Sequence, residues 1–208
     1  MDALPRPLLV SALVATFPAV QMGVAIGALN PVAEVIAEAL GVSLVLPLGF
    51  PLVVSVFCPT GFLGTQCTVA WLTQLSGGEG GGGRGSGGGG GPAAAINVLG
   101  VVCLASGLVA SGAALVAPSS PSLAFLLLLL SRSLVGFASG AGSVVVPSYL
   151  NDIAPLESRG VVGSFFQLGV VVGIFGAQCL ALPFTSPAGW GWLVGVLPAL
   201  LGIAQLWL

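Results

Sequence analysis

Two glutamines on one helical face are the residues of this chain whose type and spacing could bind a small molecule. In the apolar stretch FFQLGVVVGIFGAQCLALP, Gln167 is followed by Val170, Ile174 and Gln178 at +3, +7 and +11, which is one face of a helix. An unpaired buried amide costs about 1–3 kcal/mol. The two amides therefore need partners, either on neighbouring helices or along a polar pathway, and the sequence leaves both open. With Gln21 they would suit a neutral polyhydroxy solute, because amides both donate and accept hydrogen bonds.

Arg132 is a second candidate functional residue, because it is a charged side chain deep in an apolar segment. It stands about ten residues into that segment, which is about 15 Å of helix. A charge there costs at least about 2.5 kcal/mol on insertion scales. We expect Arg132 to face the interior of a helical bundle or a wet cavity, since its depth argues against snorkelling to the surface. Small residues spaced by four could let helices approach closely; the pairs are Gly136/Gly140, Ser139/Ser143, Gly169/Gly173 and Gly107/Ser111.

Several function classes are disfavoured by what the sequence lacks. There is no His and no Lys, so His-ligated metal sites, Ser–His and Cys–His pairs and a P-loop lysine are absent. We expect no enzyme, no cofactor, no metal and no nucleic-acid partner. Cysteines occur only in apolar stretches and are interpreted as packing residues; they are Cys58, Cys67, Cys103 and Cys179.

Composition places these residues in a membrane. The 208-residue chain is 56% hydrophobic and only 5% charged, and its mean hydropathy is +1.14, whereas a soluble domain is about 25% charged. A helix needs about 20 apolar residues to cross a bilayer. Six segments qualify, at about 7–29, 49–73, 93–117, 122–147, 160–183 and 189–208. The predicted fold is an all-α membrane protein, a single bundle of six transmembrane helices over residues 1–208.

The few charges predict the orientation of this bundle. Arg6, Arg84 and Arg159 fall on one side of a six-span chain, and the positive-inside rule makes that side cytoplasmic. The tract SGGEGGGGRGSGGGGG, at 76–91, lies on the same side and is predicted to be a flexible loop. It has no G-K-[ST] and is not interpreted as a phosphate cradle.

Two stretches resemble the signature of the sugar porter family of the major facilitator superfamily. SRSLVGFASGAGSVVVPSYLNDIAPLESRG and the following VVGSFFQLGVVVGIFGAQ are similar to G-R-x-x-x-G-x-x-x-G, P-x-Y-x-x-E-x-[AS]-P-x-x-x-R-G and Q-L-x-x-x-x-G. In the first span, QMGVAIGALN is similar to Q-F-G-Y-x-x-G-V-[IL]-N. The residues in register with the first three motifs are Arg132, Gly136, Gly140, Pro147, Tyr149, Pro155, Arg159, Gly160, Gln167 and Gly173.

The resemblance implies a fold and a site. The family has twelve helices in two halves with the sugar between them, and this chain resembles the first half, so we expect a partial or truncated carrier that could pair with a second half. By position, Gln167 corresponds to a sugar-binding glutamine, Val170 and Ile174 would line the cavity, and Met22 replaces a cavity phenylalanine beside Gln21. Structural or gating roles are implied for Arg132, Asp152, Arg159, Gly136, Gly140, Pro147 and Tyr149.

Three departures from the family pattern refine this expectation. Ala25 stands where the family has Asp or Asn, and alanine cannot titrate, which favours facilitated diffusion over proton symport. The glycine tract replaces the motif [DN]-R-x-G-R-R, whose arginines would meet the acid at Asp152. Ser131 replaces a glycine, a small change.

Two functions follow from these residues. The first is transport of a hexose-like sugar by alternating access. The second is a non-transporting membrane interaction protein derived from a half-transporter. The sequence leaves open which sugar and which membrane are involved.

Overall fold

All regular structure in the described part of the chain is helical. The computed structural model describes residues 6–42, 49–77, 92–184 and 189–207. Within these ranges every element is a helix or a helical turn, which confirms the predicted all-helical class. Of the predicted glycine-rich loop, residues 78–91 with Arg84 lie outside the described ranges, as does the side chain of Arg6.

The structure describes nine α-helices in the ranges given above. Their bounds are α1 Arg6–Ala15, α2 Phe17–Gly27, α3 Ala33–Leu40, α4 Phe50–Ser55, α5 Phe57–Gly77, α6 Pro92–Val116, α7 Pro121–Ile153, α8 Arg159–Ala181 and α9 Leu197–Trp207. Short 3-10 turns cover Asn30–Val32 and Leu182–Phe184, and a π-helical turn at Trp192–Val196 leads into α9.

Five helical stretches are long and apolar enough to cross a membrane. They are Leu8–Leu40, Phe50–Thr73, Ala94–Val116, Pro121–Ile153 and Arg159–Ala181, and a shorter apolar helix covers Trp192–Trp207. With 33 residues, α7 is about 50 Å long, which exceeds a hydrocarbon core of about 30 Å. At least one end of α7 therefore projects beyond the apolar layer.

Glycines bring α2 and α8 into backbone contact. A Cβ on Gly23 would clash with the carbonyl of Val170, and a Cβ on Gly173 would clash with the carbonyl of Val20. Thr16 lies opposite Gly169 at one end of this crossing. The helices run in the same direction, because the next contacts along α2 meet residues further along α8. Close backbone approach of this kind is the usual basis of association between membrane helices.

Two further helix pairs are built in the same way. Gly136 and Gly140 of α7 pack on α5, where Gly140 meets the backbone of Gly61. Thr65 of α5 donates a hydrogen bond of 3.1 Å to the carbonyl of Gly140. Gly202 of α9 packs on α6, with a Cβ position only 2.7 Å from the Leu104 nitrogen. The glycine pairs Gly136/Gly140 and Gly169/Gly173 noted in the sequence thus lie at close contacts between helices.

The short helix α3 covers one end of the bundle. Its Ile36 and Leu40 are buried in a cluster that also contains Leu128 of α7 and Trp190. The carboxylates on its other face, Glu34 and Glu38, are exposed. Burial of one face and exposure of two acids is what an amphipathic surface helix requires.

Candidate functional site

The α2–α8 crossing sets the direction of the predicted binding side chains. Since both helices run in parallel and rotate by about 100° per residue, Met22 projects from the same side of the crossing as Gln167, Val170 and Ile174. Gln167 is exposed, Met22 and Ile174 are half-buried, and Val170 is buried. The structure brings these four side chains to one surface, which we call the Gln167 face.

Gln21 does not lie on the Gln167 face. It is one residue before Met22, so it projects about 100° away, and it lies one turn before Ala25, which packs with Val135 and Ala138 of α7. Gln21 is only 5% exposed, and among the described residues neither atom of its amide group has a hydrogen-bond partner. Of the five residues assigned to binding from the sequence, Gln21 is the one that lies off the Gln167 face.

Gln178 is on the same helix as Gln167 and is also exposed, but it lies at a different height along the helix axis. Both side chains are exposed. Eleven residues separate them, which is about 16 Å along the helix axis. A small solute that contacts Gln167 would not reach Gln178. The pair therefore offers a matched comparison between two glutamines on one helix.

Arg132 is buried at the end of α2. It is 5% exposed, its Nη1 donates a hydrogen bond of 2.8 Å to the carbonyl of Ala25, and its guanidinium lies 5.1 Å from the ring centroid of Phe57. Ala25 is in the last turn of α2, which ends at Gly27, where carbonyls lose their intrahelical partners and a cation is favourable. Arg132 thus caps a broken helix, and Phe57 adds a cation–π contact.

Among the described residues no carboxylate accompanies Arg132, and the family's Asp or Asn position is Ala25, whose carbonyl Arg132 contacts. Within the described residues, the hydrogen bond of Arg132 goes to a backbone carbonyl, and its Nε has no partner. Next to it, Ser131 donates a hydrogen bond of 2.8 Å to the carbonyl of Ser106 on α6. Arg132 and Ser131 therefore join α7 to α2 and α6 without a titratable carboxylate.

The predicted gating residues lie where α7 ends and α8 begins. Asp152 and Arg159 are both exposed, and no ion pair joins them in the described part of the chain. Arg159 instead donates through Nε to the carbonyl of Ala154 at 3.4 Å. Pro147, inside α7, and Tyr149 are half-buried on the same end of the helix. The arrangement fixes the turn between two helices, and Asp152 stays open to another partner.

Two residues whose contacts matter in the structure, Phe57 and Gln205, were not identified from the sequence. Phe57 carries no signal that would distinguish it from other apolar residues. Gln205 does carry one, because it is the one amide in the apolar helix α9. It is 3% exposed. The argument applied to Gln167 would have identified it.

Comparison with known proteins gives consistent matches. A model of the family "Sugar (and other) transporter" matches residues 96–208. The glucose transporter GlcP of Staphylococcus epidermidis is 39% identical over 83 residues, which are 40% of this chain and 18% of GlcP. The human solute carrier family 2, facilitated glucose transporter member 4, is 38% identical over 99 residues, 46% of this chain and 19% of that protein.

A solved structure shares the fold. The inward-open xylose transporter XylE from E. coli matches with a TM-score of 0.74 at 16% identity, over 96% of this chain and 46% of XylE. The chain therefore spans less than half the length of this structure, and the matched segments cover less than a fifth of each of the two curated relatives above. Because the family match extends over more than half of the chain, this protein belongs to the sugar (and other) transporter family and is an integral, multi-pass membrane protein.

Proposed function

We propose that the Gln167 face forms one wall of a sugar-binding cavity. The observation that carries the proposal is that Gln167, about eight residues into an apolar helix, has an exposed amide beside Met22, Val170 and Ile174. An amide at that depth is costly unless something hydrogen-bonds to it. Sugar hydroxyls both donate and accept, as the amide does. The names of the relatives, which include transporters of glucose, galactose and xylose, support a sugar as the ligand.

A cavity at this face needs a second wall. A second six-helix half, whether on the same polypeptide or another, would cover the Gln167 face and leave a cleft near the middle of the membrane. Rocking of the two halves about that cleft would carry the sugar across by alternating access. We place the N-terminus and the glycine-rich loop on the cytoplasmic side, because Arg6, Arg84 and Arg159 fall there.

The transport would be facilitated diffusion. Proton coupling requires a group that gains and loses a proton within the membrane. In the described residues Arg132 is bound by the Ala25 carbonyl and the Phe57 ring, and neither titrates. The arginine would hold α2 against α7 through the transport cycle, so that this half moves as one body.

The test compares two identical substitutions on α8. When the chain is reconstituted with a second six-helix half, Gln167→Leu should weaken equilibrium binding of labelled hexose by about tenfold, the equivalent of about 1.4 kcal/mol for lost hydrogen bonds. Gln178→Leu, matched in chemistry and exposure, should leave binding unchanged. Equal loss in both variants, or full binding by Gln167→Leu in a correctly inserted protein, would refute the assignment.

A second function, a non-transporting membrane interaction protein, is favoured by one observation. Asp152 is exposed and makes no ion pair among the described side chains, so the intracellular charge contact that the resemblance implies is incomplete there. Liposome uptake separates the two functions. If the chain binds hexose but transports none even when a second half is supplied, it is an interaction protein; uptake restored by the second half supports the carrier.

A further inference from the structure

A polar cavity lies at one end of the bundle, away from the Gln167 face. Its volume is about 570 Å³, and its lining comes from α1, α6, α7 and α9. This is the end at which α1 and α6 begin and α7 and α9 end. Its polar side chains are Ser11, Asn97, Tyr149 and Gln205, with the Trp207 ring at the rim. A volume of this size is typical of small-molecule sites, which take about 300–1,000 Å³, and α8 does not contribute to the lining.

Gln205 lies at the buried end of this cavity. It is 3% exposed, its Nε2 donates a hydrogen bond to the carbonyl of Ile96, and its Oε1 has no partner among the described residues. Gly100 makes room for it, because a Cβ there would lie 3.2 Å from the Gln205 Cδ. The glycine and the glutamine together place an unused acceptor deep between α6 and α9, where a buried oxygen without a partner is unfavourable.

The other polar side chains face the cavity without competing contacts. The hydroxyls of Ser11 and Tyr149 and the amide of Asn97 make no side-chain hydrogen bonds in the described part of the chain. Ser11 and Asn97 are exposed, Tyr149 is half-buried, and Trp207 is 88% exposed. Together the four polar groups offer both donors and acceptors, and the indole offers an apolar ring face.

The chemistry of this lining selects a class of ligand. None of the described lining residues carries a charge, so this part of the lining has no group that would favour a phosphate, a carboxylate or an amine. Neutral hydroxyls can use the polar groups of Ser11, Asn97 and Tyr149, a rotation of the buried Gln205 side chain would present its free Oε1 to them, and the carbon faces of a sugar ring can pack on Trp207. We propose that this cavity binds a neutral polyhydroxylated ring, either as the headgroup of a glycolipid or as a free sugar. The proposal does not depend on transport at the Gln167 face.

The experiment uses the 208-residue chain in phosphatidylcholine nanodiscs. The probe is an alkyl glucoside with a photoreactive diazirine on the sugar, and labelled residues are mapped by mass spectrometry. We expect labelling of the segments that contain Asn97 and Trp207, and loss of labelling when unlabelled alkyl glucoside competes. An alkyl phosphocholine with the same chain length, which lacks hydroxyls, should compete at least about tenfold less well.

Free glucose separates the two sources of the ligand. If glucose competes as well as the alkyl glucoside, the site takes a free sugar; if it competes far less well, the site takes the headgroup of an amphiphile. Both results support a polyol site. Equal competition by the alkyl phosphocholine, or labelling without preference for these segments, would overturn the proposal.

Substitutions of the lining residues test which side chains bind the sugar ring. Gln205→Leu should reduce the competing affinity of the alkyl glucoside by about fivefold, the usual effect of one lost hydrogen bond. Because Gln205 is buried and its variant could misfold, Asn97→Ala provides a second test at an exposed position with the same expected direction. Gln178→Leu, an exposed glutamine of α8 outside both proposed sites, serves as the control that should not change labelling here. If Asn97→Ala and Gln205→Leu both bind as the wild type does, the proposal fails even if hexose transport is established.

Discussion

The backbone contact between α2 and α8 predicts different effects for the same substitution at two glycines of α8. Replacing Gly173 by alanine would place a Cβ against the carbonyl of Val20 and 3.0 Å from the Cα of Gly23. Replacing Gly176 by alanine would place a Cβ in open space, since nothing lies within 4 Å. Both substitutions gain about 0.8–1.0 kcal/mol of helix propensity. Only Gly173→Ala must also push the two helices apart, which costs about 1–3 kcal/mol of overpacking.

We therefore expect Gly176→Ala to raise the free energy of unfolding by up to about 1 kcal/mol. The free energy of unfolding of the Gly173→Ala variant should be about 1–3 kcal/mol lower than that of the Gly176→Ala variant. Unfolding in mixed micelles, followed by circular dichroism as sodium dodecyl sulfate is added, measures the difference directly. A double variant with Gly23→Ala should cost less than the sum of the two single changes, because one separation of the helices accommodates both methyl groups. Equal stability of the Gly173→Ala and Gly176→Ala variants would refute the account of this crossing.

Two other predictions concern α6 and its neighbours. Ser131→Ala should lower the free energy of unfolding by about 0.6–1.7 kcal/mol, because it removes the hydrogen bond to the Ser106 carbonyl, and the same micelle titration measures it. The buried thiol of Cys103 should react with N-ethylmaleimide only after the protein is unfolded in sodium dodecyl sulfate; rapid labelling of Cys103 in the folded protein would contradict its packing against α7.

The class of fold was predictable because it depends on quantities that the sequence carries directly. Long apolar segments with almost no charge require helices in a membrane. The repeated small residues indicated close helix contacts, and Gly140 and Gly173 lie at such contacts. The partners of these glycines were not predictable, since a small residue at four-residue spacing does not specify which helix approaches it.

The candidate site shows the same limit at the level of single side chains. The spacing of Gln167, Val170 and Ile174 was enough to place them on one face. Gln21 was grouped with them because it is an amide, but its direction depends on how α2 sits between α8 and α7, which the sequence does not state. The hydrogen-bond partner of Arg132 could not be predicted from the sequence either, because it is a backbone carbonyl left without an intrahelical partner by the end of α2 near Gly27.

The pairing of α2 with α8 has a consequence for how the chain is made. Gly23 and Gly173, which meet in the folded protein, are about 150 residues apart in the sequence. At a synthesis rate of about 5–20 residues per second, α2 leaves the ribosome about 8–30 s before its partner exists. During that interval the groove around Gly23 has only lipid, the translocon or an insertion chaperone to cover it. Contact of the Gly23 groove with one of these in nascent chains that end before α8, and its replacement by α8 once that helix has emerged, is what this order of assembly requires.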